Sequence, residues 1–388
     1  MIAKQIAAGL AGGSMIRKMF EEGIRLKNLY GAENVYDFSI GNPDAEPPAD
    51  VLNALRELGN QPNIHKYMPN AGFDDVRNAI AEKEGARAGI KLSPSLVTMT
   101  EGAAGGLNSA LKAILDPGDE VLVIAPYFLE YFHYIRNHGG VPVVVSSDRD
   151  TFLPDPQAIA AAITTKTKAM ILNSPNNPSG VVYDRATLEA VEQTLREREK
   201  VFGIDIYVLS DEPYTQLLYD GAAPAMLSIF HNGILVNSFS KSLSLPGERI
   251  GYVIVSPNAA DGTALAAAIP FTNRILGYVN APSLFQKVVA AALNASVDVE
   301  EYRRRRDALY GHITSLGMEC IRPAGAFYLF PKVPGGDDTT FSEKAAEQHI
   351  LVVPGSGFGW PGYVRVAYCV DMGTIQRSFP AWERLLKS

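Results

Sequence analysis

Between residues 96 and 255 the chain repeats one texture: short apolar, β-branched runs separated by helix-like stretches. The runs fall at residues 96–100, 121–125, 141–145, 169–173, 206–210, 234–238 and 250–255, with helix-like stretches such as 105–115 and 187–200 between several of them. A strand that is apolar on both faces must be covered on both faces, and helices between strands provide parallel crossovers. The alternation therefore predicts an α/β unit with a mostly parallel sheet of seven strands covered by helices. Ligands of such open sheets gather beyond the carboxyl ends of the strands. The residues just after each run are the ones to read for chemistry.

Near Pro282 the texture changes. A helix pattern spans 284–316, with a break expected near Asn294, and strand-like runs follow at 327–331, 350–354 and 364–368. This reads as a smaller α+β domain. The turn Gly41-Asn42-Pro43 interrupts the chain near residue 45. The expected division is a large domain over residues 46–282 and a small domain built from both chain ends, 1–45 and 283–388. A length of 388 residues suits two domains.

Composition excludes several functions. A formal net charge of −7 does not suit a surface built to hold a polyanion. The basic run 303–306, beside Glu300, Glu301 and Asp307, reads as a solvated helix face. No stretch of about 20 apolar residues is free of charges and turn signals, and residues 1–20 lack the continuous apolar run of a secretory signal. A cytoplasmic protein without nucleic-acid or membrane partners is expected. Cys320 and Cys369 read as small buried side chains. The six histidines form no His-x-x-x-His pair, so no metal site is expected.

The strand ends carry the unusual residues. After the run 234–238 comes Ser238-Phe239-Ser240-Lys241, and eight residues later Arg249. A lysine between serines on a tight loop is ordinarily just solvated. With Arg249 nearby, the loop could instead hold a phosphate while Lys241, once deprotonated, forms a Schiff base with an aldehyde. After 206–210 come Asp211 and, three residues on, Tyr214. A pyridine cofactor needs an anion at its ring nitrogen and a donor at its phenolic oxygen, and these are the right types. After the run 169–173, Asn177 lies in Asn-Asn-Pro-Ser-Gly, either a plain turn or a side-chain donor to a ring oxygen. Thr100-Glu101-Gly102-Ala103-Ala104 joins a strand to a helix, a plausible phosphate cradle of small residues and free N–H groups. It is neither a dinucleotide fingerprint nor a nucleotide P-loop. Tyr127 follows the run 121–125 and could stack on a cofactor ring or simply pack in the core. Ser238-Phe239-Ser240-Lys241 also matches Ser-x-x-Lys, but the Ser-Asp-Asn and Lys-Thr-Gly partners of that nucleophile are absent.

In the order and spacing of these motifs the chain resembles the fold type I, class I/II pyridoxal-phosphate aminotransferases over nearly its whole length. The resemblance implies that Lys241 is the Schiff-base lysine and proton shuttle, Asp211 the pyridinium partner, and Tyr214 and Asn177 the ligands of the ring oxygen. Tyr127 is similar to the stacking aromatic. Gly102, Ala103 and Ala104 match the phosphate turn, with Ser238 and Arg249 as further phosphate ligands. Tyr67 looks like the tyrosine that reaches the partner subunit's phosphate, which implies a homodimer with shared active sites. Arg365 looks like the clamp on the substrate α-carboxylate, and Gly41 lies in the loop over the substrate. The implied activity is ping-pong transfer of an amino group from an L-amino acid to a 2-oxo acid, usually 2-oxoglutarate. A β-eliminating or decarboxylating lyase shares the same cofactor shell. In one aspartate-specific subgroup a lysine stands where this chain has Ala104. In another a partner arginine, for which Arg274 has the nearest spacing, binds the distal carboxylate.

Overall fold

Each of the seven apolar runs becomes a strand of one sheet. The computed structural model describes residues 2–11 and 15–387, so residues 1, 12–14 and 388 of the expected small domain lie outside the described residues. After the two-residue β1 (Tyr36–Asp37) come β2 (Val97–Thr100), β3 (Glu120–Ala125), β4 (Val141–Ser146), β5 (Thr167–Asn173), β6 (Tyr207–Asp211), β7 (Gly233–Ser238) and β8 (Gly251–Val255). Across the sheet the order is β2-β8-β7-β6-β5-β3-β4. β3 to β7 run parallel, whereas β8 runs antiparallel to both β2 and β7. The reason is the connection: residues 239–250 contain no helix, and a parallel return needs a crossover.

Helices cover both faces. Every residue of β2, β6, β7 and β8 is buried, while edge strand β4 is largely open. On one face Leu107, Leu111, Ile135 and Ile269 pack over β3, β5 and β7; on the other, Leu188, Val191 and Leu195 pack over β5 and β6. The helix Gly102–Ile114 begins three residues before the expected 105, in its glycine-rich first turn. It lies close to the sheet because Gly106 has no side chain: a Cβ there would stand 2.9 Å from Val236 Cγ1 and Val253 Cγ2.

The pattern at 284–316 forms two helices, Ser283–Ala291 and Val299–Ser315, and the gap contains Asn294. Asp298 caps the second helix by accepting from Glu301 N. β9 (Tyr328–Leu329), β10 (Ile350–Leu351), β11 (Val353–Pro354) and β12 (Val364–Ala367) follow. The run at 350–354 splits between two sheets. β10 pairs in parallel with β1, and β11 joins the antiparallel order β11-β12-β9. No helix among the described residues is long and apolar enough to cross a membrane.

The basic run departs from expectation. Arg304 is exposed, but Arg306 is fully buried, with its guanidinium 4.6 Å over the Tyr219 ring and Nη1 donating to Pro323 O. Arg305 pairs with Asp44 at 2.6 Å. At 3.6 residues per turn, four consecutive side chains point around the whole helix, so some must face inward.

A buried polar network lies beneath the ends of β6, β7 and β8. Arg87, on the helix Asp74–Ala88, donates to Glu84 at 2.7 Å and to fully buried Glu212 at 2.6 Å. Tyr252 donates to Glu84, Asn237 Nδ2 donates to Tyr252 Oη, and Asn237 Oδ1 accepts from Ser238 N. Removing the one cation strands two buried carboxylates. Arg87→Ala should therefore cost about 3–5 kcal/mol in urea unfolding, and a loss below about 1 kcal/mol would show that the carboxylates are relieved by other means.

Candidate active site

The carboxyl ends of β2, β3, β5, β6 and β7 and the start of antiparallel β8 converge on one edge of the sheet. Register aligns them: Asn173 lies opposite Asp211, and Gly251 lies opposite both Thr100 and Ser238. Gly251 lets its neighbours close in, since a Cβ there would stand 2.5 Å from Asn237 O and 2.8 Å from Gly102 C. Against this edge sits a cavity of about 330 Å³. It is lined by ten of the expected residues: Gly41, Ala103, Ala104, Asn177, Asp211, Tyr214, Ser238, Lys241, Arg249 and Arg365.

One end of the cavity suits an anion. The 102–114 helix begins there, with Ala103 and Ala104 in the lining, and the first N–H groups of a helix are free to meet an anion. Arg249 sits beside it in left-handed backbone (φ 50°), with Nη1 on Pro246 O at 3.0 Å. Gly102 does not line the cavity but makes room for this guanidinium: a Cβ at Gly102 would lie 3.0 Å from Arg249 Nη2.

The centre holds an amine and a carboxylate. Lys241 Nζ donates to Gly41 O at 2.7 Å and lies 5.3 Å from the Phe327 ring centre. Burial pulls its pKa down to about 8, with Arg365 and Arg249 adding to the fall and Cys369 opposing it. Asp211 accepts from the Tyr131 hydroxyl at Oδ2, 2.6 Å away, while Oδ1 has no hydrogen-bond partner among the described residues. Burial pushes this carboxyl up to about 7 against the Tyr131 bond, and Glu212 raises it further. Asn173 Nδ2 holds the Asp211 backbone carbonyl at 2.9 Å, and Asn173 Oδ1 accepts from Asn177 N.

The far end holds a second cation. Arg365, on β12, is buried; Nη1 donates to Asn177 Oδ1 at 3.1 Å and Nη2 to Ser39 O at 2.6 Å. The guanidinium lies 4.8 Å from the Tyr328 ring centre and 4.9 Å from that of Phe358, and Nε has no partner among the described residues. Tyr328 shares a 2.9 Å hydroxyl–hydroxyl bond with Tyr214. Gly41 passes so close to Tyr328 that a Cβ would stand 2.0 Å from its hydroxyl.

Besides Gly102, three expected residues lie outside the lining. Tyr127 packs on Phe132, 4.8 Å between ring centres, and against Gly359. Its neighbour Phe128 lines the cavity instead. Tyr67 is 91% exposed. Arg274 is exposed, 5.4 Å over the Phe271 ring. Residues not singled out in the sequence also line the wall: Phe128, Tyr131, Tyr134 and Tyr328. The first three recur every third residue into the helix Glu130–Asn137, which places them on one face. That spacing is the signal that could have found them.

Comparison with known proteins places the chain among enzymes. The family described as aminotransferase class I and II matches residues 33–379. The aspartate/prephenate aminotransferase of Thermus thermophilus is 35% identical over 357 residues, 90% of each chain. The aspartate aminotransferase of Thermotoga maritima is 33% identical over 362 residues, 92% of each. A crystal structure of an amino transferase from Eubacterium rectale superposes with a TM-score of 0.96 at 40% identity, covering 100% of this chain and 99% of that one.

Asp211 and Lys241 give the unliganded fold opposite responses to pH. Asp211 moves from an ordinary 3.8 up to about 7, so the folded state binds more protons than the unfolded one between these values. Its contribution to stability falls as pH rises from about 4 to 7. Lys241 moves from 10.5 down to about 8, so the folded state binds fewer protons there, and its contribution rises from about pH 8 to 10.5. In thermal unfolding at a series of pH values, Asp211→Asn should flatten the first limb and Lys241→Met the second. Profiles unchanged by either substitution would mean that these charges remain hydrated.

Proposed function

We propose, from the premise that this chain belongs to the class I and II aminotransferase family and moves an amino group from an amino acid to a 2-oxo acid, that its cavity holds pyridoxal phosphate joined to Lys241. When bound, this group supplies a protonated pyridine ring that draws charge away from the substrate α-carbon. The observation that carries the reading is the placement of Lys241 and Asp211 in one cavity: a half-buried amine brought down to about pKa 8, and a buried carboxylate with one oxygen lacking a donor among the described residues. A lowered pKa makes the neutral, nucleophilic amine accessible near neutral pH. A bare buried carboxylate oxygen is completed by a protonated ring nitrogen.

The remaining residues fit the group. The N-terminus of the 102–114 helix, Ala103, Ala104, Ser238 and Arg249 suit its phosphate. Tyr214 and Asn177 suit its ring oxygen. Phe128 takes the place expected of Tyr127 as the aromatic that faces the ring.

Each protein group then has a task. Lys241 would remove the proton from the substrate α-carbon as general base and return it to the carbon on the far side of the substrate nitrogen, a 1,3 shift. Arg365, held in place by Asn177 and Ser39, orients the substrate α-carboxylate with its planar fork. The segment around Gly41 sets its backbone against both Lys241 and Tyr328 and keeps water from the reacting atoms. The reading includes 2-oxoglutarate as acceptor and a cytoplasmic homodimer. Exposed Tyr67 and Tyr278 support the dimer: Asn70 and Asn280 bond the segments 67–70 and 278–280 to each other, which gives an aromatic surface for a partner. The reading keeps the domain boundaries at 45/46 and 282/283, supported by the β1–β10 pairing of the two chain ends.

Borohydride reduction of the protein loaded with pyridoxal phosphate should leave the label on Lys241, located by peptide mass. One amino acid added without an acceptor should yield one equivalent of 2-oxo acid per site. Lys241→Ala should lower turnover by at least about 10²–10⁴-fold. Arg365→Lys should reduce kcat/KM for both substrates by about 10–100-fold. A label elsewhere, or full turnover in the alanine variant, would remove Lys241 from this role.

A further inference from the structure

The fully buried residue Tyr131 has no role assigned by the reading above. Its hydroxyl donates to Asp211 Oδ2 at 2.6 Å, and its ring is held edge-on by Phe128, 5.6 Å between centres at 85°. The geometry points to Tyr131 as the positioning residue for Asp211: it occupies Oδ2 and leaves Oδ1 as the one oxygen presented to the cavity. This rests on the reading of Asp211 as the partner of a ring nitrogen.

Three observations converge. First, Asp211 is held at two points, its backbone carbonyl by Asn173 and one carboxylate oxygen by Tyr131. Second, the next residue is also an acid, and successive strand residues face opposite sides of a sheet. Glu212 turns away to Arg87 and Ser210, so it does not compete for the Tyr131 hydroxyl. Third, Tyr131 is two per cent exposed, and Asp211 is the one hydrogen-bond partner of its hydroxyl among the described residues. Other groups acting on Asp211 are Tyr134, Tyr214 and Glu212, none of which donates to it. Of these four only Tyr131 steadies the anion. A hydrogen bond to a charged buried acceptor favours the charged form and fixes its orientation.

The test uses 4′-deoxypyridoxine 5′-phosphate, which has the ring and phosphate but no aldehyde and so cannot join Lys241. Tyr131→Phe keeps the ring and its contact with Phe128 but removes the hydroxyl. Affinity for the probe, measured by fluorescence, should fall about tenfold or more. Protonation of the bound ring, read from near-ultraviolet absorbance, should shift to lower pH by about one unit. In the fully loaded enzyme, exchange of the substrate α-proton should slow while KM stays within about twofold. Tyr131→His keeps a donor, should recover part of each change, and carries the test if the phenylalanine variant does not fold. Affinity, ring protonation and exchange in Tyr131→Phe all within twofold of wild type would overturn the proposal, as would a folded histidine variant no better than phenylalanine. Failure of the underlying reading looks different: Asp211→Asn would then leave ring protonation unchanged, whatever stands at 131.

Discussion

A buried guanidinium has to be surrounded by acceptors, and Arg365 finds them on stretches far apart in the chain. Its fork joins Asn177, after β5 of the large sheet, to Ser39, before the Gly41 turn, from a strand that belongs to neither. Tyr328 and Phe358 supply aromatic faces around it. Removal of this cation would leave Ser39 O and Asn177 Oδ1 without their donor, at the point where three chain segments meet. Lys241 repeats the arrangement on a smaller scale, reaching from the end of β7 to the carbonyl of Gly41. Two cations from different elements thus reach the same short segment, residues 39–41.

The sign pattern of the site follows from strand geometry. One residue decides whether a side chain faces the cavity or the layer beneath. Asp211 and Glu212 are consecutive acids, yet one lines the cavity with an oxygen that has no partner among the described residues and the other is locked by Arg87. The lock continues through Glu84, Tyr252 and Asn237 to the backbone of Ser238. The ends of β6 and β7, which carry the two charges of opposite sign, are therefore tied together from below. Lys241 and Asp211 are thus carried on strand ends that a continuous hydrogen-bonded chain joins.

The sequence made the sheet and its reactive edge legible because both rest on local signals: apolar runs, and polar residues immediately after them. What it hid depends on phase or on distant contacts. Tyr127 and Phe128 are adjacent aromatics, and only the helical phase shared by Phe128, Tyr131 and Tyr134 separates the one outside the cavity from the one that lines it. Tyr328 stands more than a hundred residues from its partner Tyr214, and nothing local marks it. Arg306 looked solvated because charge runs are usually exposed; its burial needs Tyr219 and Pro323, which approach only in the folded chain. The direction of β8 was invisible in its composition, since a buried strand reads the same either way.

The divided run at 350–354 has a mechanical meaning. Ile350 and Leu351 grip β1, and two residues later Val353 and Pro354 grip β12, where Val353 lies opposite Arg365 itself. Extended backbone has little slack over two residues. A pull on the segment that leads into the Gly41 turn is thus delivered to the strand that carries the carboxylate clamp, through a tether too short to absorb it. Turn and clamp are therefore coupled, so that displacement of the segment over the cavity is passed on to the residue that grips its contents.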